Sequence, residues 1–101
     1  MGLWRRTAEW KARRVRALLK RDGRHCWLCN RPLAATTPKE GRRTTLEQLI
    51  PRCMEGGDGL DNLVLCHAAC NRHLRDHPPE KKRKIREKWH RETARVIARR
   101  R

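Results

Sequence analysis

The chain contains no Phe and no Tyr, and its aromatic residues are four Trp. A core built on many large rings is therefore excluded. Hydrophobic residues make up only 37% of 101 positions, and a domain of this size buries a limited core. Something besides burial must help to hold it, commonly a metal or disulfides. Acidic residues are scarce as well: 11 Asp and Glu stand against 27 Lys and Arg, a formal net charge of +16. A compact chain of one sign repels itself unless a polyanion lies nearby, so nucleic acid is the expected partner. No apolar run of about 18 residues is present, so no membrane-spanning helix and no membrane partner are expected. The opening MGLWRRTAEWKARR lacks the apolar core of a secretory signal, and Arg6 stands where an acylation motif needs Ser or Thr. A cytoplasmic, reducing setting is the expectation that follows.

Five cysteines are present, and in a reducing setting a CxxC arrangement points to metal rather than disulfides. Cys26 and Cys29 are spaced so that both thiolates reach one tetrahedral ion from a single turn. The other half lies in Cys66-His67-Ala68-Ala69-Cys70, which offers three ligands for two places. His67 and Cys70 keep the two-residue spacing. Cys66 and Cys70 are one residue wider, so Cys66 is the alternative to His67. The expected zinc set is Cys26, Cys29, His67 and Cys70, closed and structural. Cys53 reads as a buried free thiol, a small hydrophobe.

Around these ligands the periodicity predicts a helix over Leu3 to Arg21, with Trp4, Ala8, Ala12, Val15, Leu18 and Leu19 at a 3.6-residue period. Gly23 is expected as its left-handed cap. Thr36 to Arg43 reads as a loop. Thr44 to Ile50 and Leu60 to Leu65 read as strands joined by the Gly-rich turn Glu55-Gly56-Gly57-Asp58-Gly59. A short helix is expected from Ala68 to about Arg75, stopping before Pro78-Pro79. A second basic helix follows over Glu80 to Arg101, with Ile85, Trp89, Val96 and Ile97 on its apolar side and Pro79 in its first turn. The residue-by-residue reading of Glu47 and Gln48 is an ordinary solvent-facing strand pair. Asn62 reads as a turn residue and Asn71 as a helix cap.

The ordered motifs together resemble the zinc-knuckle form of the HNH endonucleases. They are Cys26-Trp27-Leu28-Cys29, Leu46-Glu47-Gln48-Leu49-Ile50-Pro51, Gly56-Gly57, Asp61-Asn62-Leu63-Val64-Leu65 and Cys70-Asn71. The resemblance spans Arg24 to His73, about half the chain. It implies an α+β fold: a small ββα-metal core with a zinc knuckle, flanked by basic helices, in one domain over 1–101. Residues 1–22 would be the N-terminal helix, 24–77 the knuckle and core, and 79–101 the C-terminal helix.

The resemblance also implies roles. Glu47 and Asn71 would ligate a catalytic Mg²⁺ or Mn²⁺, Asn62 would orient the general base, and the base would be a His at position 48. Gln48 stands there instead. A Gln amide takes up no proton near neutral pH, and loss of a general base typically costs about 10²- to 10⁴-fold. The implied activity is a DNA endonuclease or nickase, impaired as written. The alternative is a catalytically silent, zinc-stabilised nucleic-acid-binding module or phage-type accessory protein, acting in a host cytoplasm. Gln48 is then a replacement that makes a toxic nuclease safe to express, the mark of a relative that only binds DNA, or a loss made good by another base such as His73. Double-stranded or branched DNA is the expected partner. Arg52, Arg72, His73, Arg75, Lys82, Arg83 and Arg86 are expected to meet it.

Overall fold

The computed structural model of the protein describes residues 7–34 and 42–100. Within them it is a small α+β fold of three helices and one two-stranded antiparallel sheet. Residues Leu3 to Arg6 of the expected first helix, and Thr36 to Gly41 of the expected loop, lie outside the described residues.

The first helix, α1, spans Ala8–Asp22 and begins where Thr7 supplies an N-cap, its hydroxyl accepting from the Trp10 amide at 3.1 Å. Its inner face carries Leu18, fully buried, with Val15 and Leu19 beside it. Gly23 ends it with φ 84° and ψ 177°. The positive φ that only Gly adopts freely is there, but ψ is extended rather than left-handed helical, so the chain leaves the helix straight. Arg21 fixes the helix to the second strand's entry, donating to Leu60 O at 2.7 Å and Leu63 O at 3.0 Å.

Strands β1 (Thr44–Gln48) and β2 (Leu63–His67) pair in the register Thr44↔His67, Leu46↔Leu65, Gln48↔Leu63. The run Leu63 to Cys66 is buried throughout because α1 lies against β2 and later elements cover the rest. Both strands are shorter or later than their apolar runs suggest, and Asn62 is the reason. The Leu49 amide donates to Asn62 O at 3.0 Å, and the Asn62 side chain takes both backbone groups of Ile50. Leu60–Asn62 is itself a short 3₁₀ turn, so β2 opens only at Leu63. Helix α2 (Ala68–Leu74) continues directly from β2, and α3 (Pro79–Arg99) follows Pro78.

The interior is aliphatic and sulfurous: Leu18, Leu28, Leu33, Leu63, Leu65 and Leu74 pack with Cys26 and Cys66. Cys53 is exposed on the 3₁₀ turn Arg52–Met54, contrary to its reading as a buried thiol, because that turn projects from the sheet end. Ile97 is half exposed, since α3 meets the core through its first part, at Ile85 and Trp89. No helix among the described residues is long and apolar enough to cross a membrane.

Candidate metal centre and the adjoining acidic site

A tight knuckle presents the first two thiols. The Cys26 amide donates to Arg31 O and the Asn30 amide to Cys26 O, each at 2.9 Å, with Asn30 in the left-handed region at φ 61°. Asn tolerates that conformation better than most side chains. The Trp27 amide donates to Leu65 O at 2.8 Å, which docks the knuckle on β2. The other two ligands come from the junction of β2 and α2, His67 ending the strand and Cys70 standing in the helix's first turn.

The ligand atoms of Cys26, Cys29, His67 and Cys70 all lie within 4.8 Å of one another. His67 Nδ1 is 3.4 Å from Cys29 Sγ and 3.8 Å from Cys70 Sγ. A tetrahedral zinc with bonds of about 2.0–2.3 Å has ligand-to-ligand edges of roughly 3.3–3.8 Å, so the donor set fits that ion. The other ring nitrogen, Nε2, lies 3.1 Å from Pro32 O, which holds the proton there and leaves Nδ1 facing the thiols. A cleft lined by Cys29, His67 and Cys70, with Arg31, Trp89 and Glu92 around it, reaches the cluster and provides an entry path for an ion.

Cys66 is fully buried and stands outside the four-ligand group. It does touch the cluster. Hydrogen bonding with Cys29, Cys66 and Cys70 pushes the Cys26 thiol far below its ordinary value, and the same interaction with Cys26 pushes Cys66 and Cys70 up. The four-ligand group is completed by His67 and not by Cys66.

The second set of expected site residues gathers at the far end of β1. Glu47 is 7% exposed, so it is no solvent-facing strand residue. Burial raises its carboxyl to about 7, against the pull of Lys82 and the Gln48 backbone. Its Oε2 is buried without a hydrogen-bond partner. Asn71 lies inside α2 and does not cap it; its amide nitrogen donates to Thr45 Oγ1 at 3.2 Å and Leu46 O at 3.3 Å, the residues just before Glu47. Gln48 donates through Nε2 to Gly57 O at 3.1 Å and to Asp58 Oδ1 at 2.8 Å. Asn62, 8% exposed, donates to the same Gly57 carbonyl at 2.8 Å. Asn62 thus holds the loop that Gln48 leans on and makes no hydrogen bond to Gln48 itself.

Lys82, expected at a nucleic-acid surface, is completely buried. Its Nζ donates to Gln48 O at 2.6 Å and lies 3.8 Å from Glu47 Oε2. The orphaned Glu47 oxygen is a donor that a hard cation wants, but a cation of the chain already faces it. As arranged, Glu47 and Asn71 do not fit a resident divalent ion. Arg86 is also turned inward, donating to Trp27 O at 2.8 Å with its guanidinium 4.9 Å from the Trp27 ring centre. Arg52, Arg72, His73, Arg75 and Arg83 are exposed, and the His73 ring meets Trp89 edge-on at 5.0 Å.

Sequence reasoning missed His90 and Thr93 of α3 and gave Lys82 another role. Lys82 seals the acidic site, His90 Nε2 lies 3.0 Å from Trp27 O, and Thr93 Oγ1 donates to Cys29 O at 2.8 Å behind the metal cluster. With Arg86 they recur at helical spacing on one stripe, which is the only signal of them in the sequence.

No protein-family profile, curated protein or solved structure matches this chain. What the fold and the cluster define is a small, strongly basic α+β protein with a Cys₃His group able to bind zinc.

Proposed function

We propose that the chain is a nucleic-acid-binding protein on an HNH-type, zinc-held ββα unit, with phosphodiester hydrolysis idle as written. The observation that carries this reading is the placement of Glu47, Gln48, Asn62 and Asn71 along β1 and its exit, from positions up to 24 residues apart, beside a Cys₃His group. The chemistry is idle because Gln48 uses its amide as a donor to Gly57 and Asp58 and has no basic nitrogen to take a proton from water. Binding remains. Arg72, Arg75 and Arg83 present exposed cations on α2, its end and α3, and phosphate contacts of that kind are sequence-independent and salt-sensitive.

The test is fluorescence anisotropy of the zinc-loaded chain with duplex and branched DNA, without added Mg²⁺ or Mn²⁺. Binding should weaken steeply with salt, and Arg72→Ala and Arg83→Ala should each lower the log–log slope by about 1. No binding at about 100 mM salt would sink the reading.

A second reading, an HNH endonuclease or nickase that lacks its base and whose divalent ion displaces Lys82 from Glu47, is favoured by the position of Asn71 against Leu46, next to the buried Glu47. Gln48→His should then raise Mn²⁺- or Mg²⁺-dependent nicking of plasmid DNA by about 10²- to 10⁴-fold. Unchanged plasmid would exclude this second reading and leave the first.

A further inference from the structure

Lys82 is one of 27 basic residues on this chain, yet its side chain is wholly withdrawn from water. A buried ammonium is costly unless groups in the interior replace its hydration. The replacements are specific. Gln48 O accepts from Nζ at 2.6 Å, and Glu47 Oε2, buried and without a hydrogen bond, faces the same nitrogen at 3.8 Å. The carbonyl and the carboxylate come from consecutive residues at the end of β1, and Lys82 reaches them from α3, 34 residues on. The surrounding helix is rich in Lys and Arg, so nothing in composition demands that one of them point inward. Ile85 and Trp89, on the same side of α3, supply apolar contact with the core without it.

We infer that Lys82 is the resident cation of the Glu47 site, standing where a divalent ion would otherwise be held, so that the chain engages nucleic acid without Mg²⁺ or Mn²⁺. This rests on the HNH-type reading of the site given above. The ammonium is a compact point charge on a flexible stem, which suits it to sit among oxygen donors as a small ion does. A divalent ion arriving at Glu47 meets a like charge 3.8 Å from its own ligand, in a pocket with little water to screen the two. It must expel Lys82 before it can bind. Lys82 also ties α3 to the backbone of residue 48, so α3 and the acidic site are one packing unit. Lys82 touches neither solvent nor substrate and acts only through Glu47 and Gln48: it is a positioning residue.

The experiment uses the full, zinc-loaded chain in mildly alkaline buffer, with lysine side chains labelled with ¹⁵N. One ammonium resonance should be protected from exchange with water, and substoichiometric Mn²⁺ should leave it sharp. The absence of a protected lysine resonance, or its selective broadening by Mn²⁺, overturns the inference. In parallel, free Mn²⁺ is measured by electron paramagnetic resonance with the Lys82→Met protein. Its Mn²⁺ affinity should rise at least about 10-fold over the parent, and the rise should vanish in the Glu47→Gln/Lys82→Met protein. A folded, zinc-loaded Lys82→Met protein with no gain overturns the inference. If Lys82→Met does not fold, the spectrum of the unaltered chain decides alone. Failure of the DNA-binding assay above would sink the functional reading and leave these Mn²⁺ results standing.

Discussion

Replacing Glu47 by Gln isolates a single buried carboxyl whose two largest influences pull in opposite directions. Burial favours the neutral form, and Lys82 favours the charged one. The nearest approach of the pair, 3.8 Å, is beyond hydrogen-bond reach, while the Lys82 hydrogen bond goes to Gln48 O. Coulomb attraction without a charge-assisted hydrogen bond is the weaker form of such a pair, and burial wins: the carboxyl rises from its ordinary 4.5 to about 7. A carboxyl raised on folding binds its proton more tightly in the native state. The stability it contributes is complete below the unfolded value and is lost as pH climbs through the folded one. Each pH unit between the two values is worth about 1.4 kcal/mol, so the full span is worth roughly 3 kcal/mol, and the part above pH 5.5 about 2 kcal/mol. Gln has no proton to lose and removes the slope. Urea unfolding of both proteins in excess zinc, from about pH 5.5 to 8, reads the difference, since zinc-linked protons affect both alike. The parent should lose about 2 kcal/mol relative to Glu47→Gln over that range, and then run parallel to it. A flat difference, or a parent that gains with rising pH, would show that Lys82 outweighs burial and would refute the reasoning.

Two further outcomes follow from the metal cluster and the loop. Metal analysis should find one zinc per chain in the parent and in Cys66→Ala, but strongly reduced zinc in His67→Ala and Cys70→Ala, with loss of the Trp near-ultraviolet dichroism as the knuckle opens. Asn62→Ala should cost about 2–4 kcal/mol in chemical unfolding, because it removes three hydrogen bonds and leaves the Ile50 amide without its partner; a cost under about 1 kcal/mol would show that water replaces them.

The grouping of Cys26, Cys29, His67 and Cys70 was legible because ligand spacing is local chemistry: CxxC and HxxC each put two donors on one turn, and only His67 keeps that spacing with Cys70. The strands were legible as apolar runs but not in their limits. Those limits depend on Asn62, which spends its amide on Ile50 across 12 residues and so takes Leu49 and Ile50 out of the sheet. Lys82 was illegible as a buried residue. In the run Lys81-Lys82-Arg83-Lys84 nothing distinguishes it, and its burial depends on where α3 crosses β1. The same holds for Arg86, read as a DNA contact, which instead covers Trp27. Long-range packing, not local propensity, chose which basic residues face inward.

The way α3 is attached bears on how the protein comes apart. Lys82, Arg86, His90 and Thr93 hold it by contacts to main-chain oxygens of Gln48, Trp27 and Cys29, and its apolar contribution to the core is Ile85 and Trp89. Water satisfies those same oxygens at once when the helix lifts, and Lys82 regains its hydration. Partial opening of this kind lies below the free energy of global unfolding, and a denaturant that acts in proportion to newly exposed area discriminates weakly against it. An ion held by the Cys/His cluster would meanwhile keep the knuckle, β2 and α2 closed. The 21 residues of α3 are in that sense the most loosely fastened helix of the fold, seated beyond Pro78 on polar contacts that water can replace.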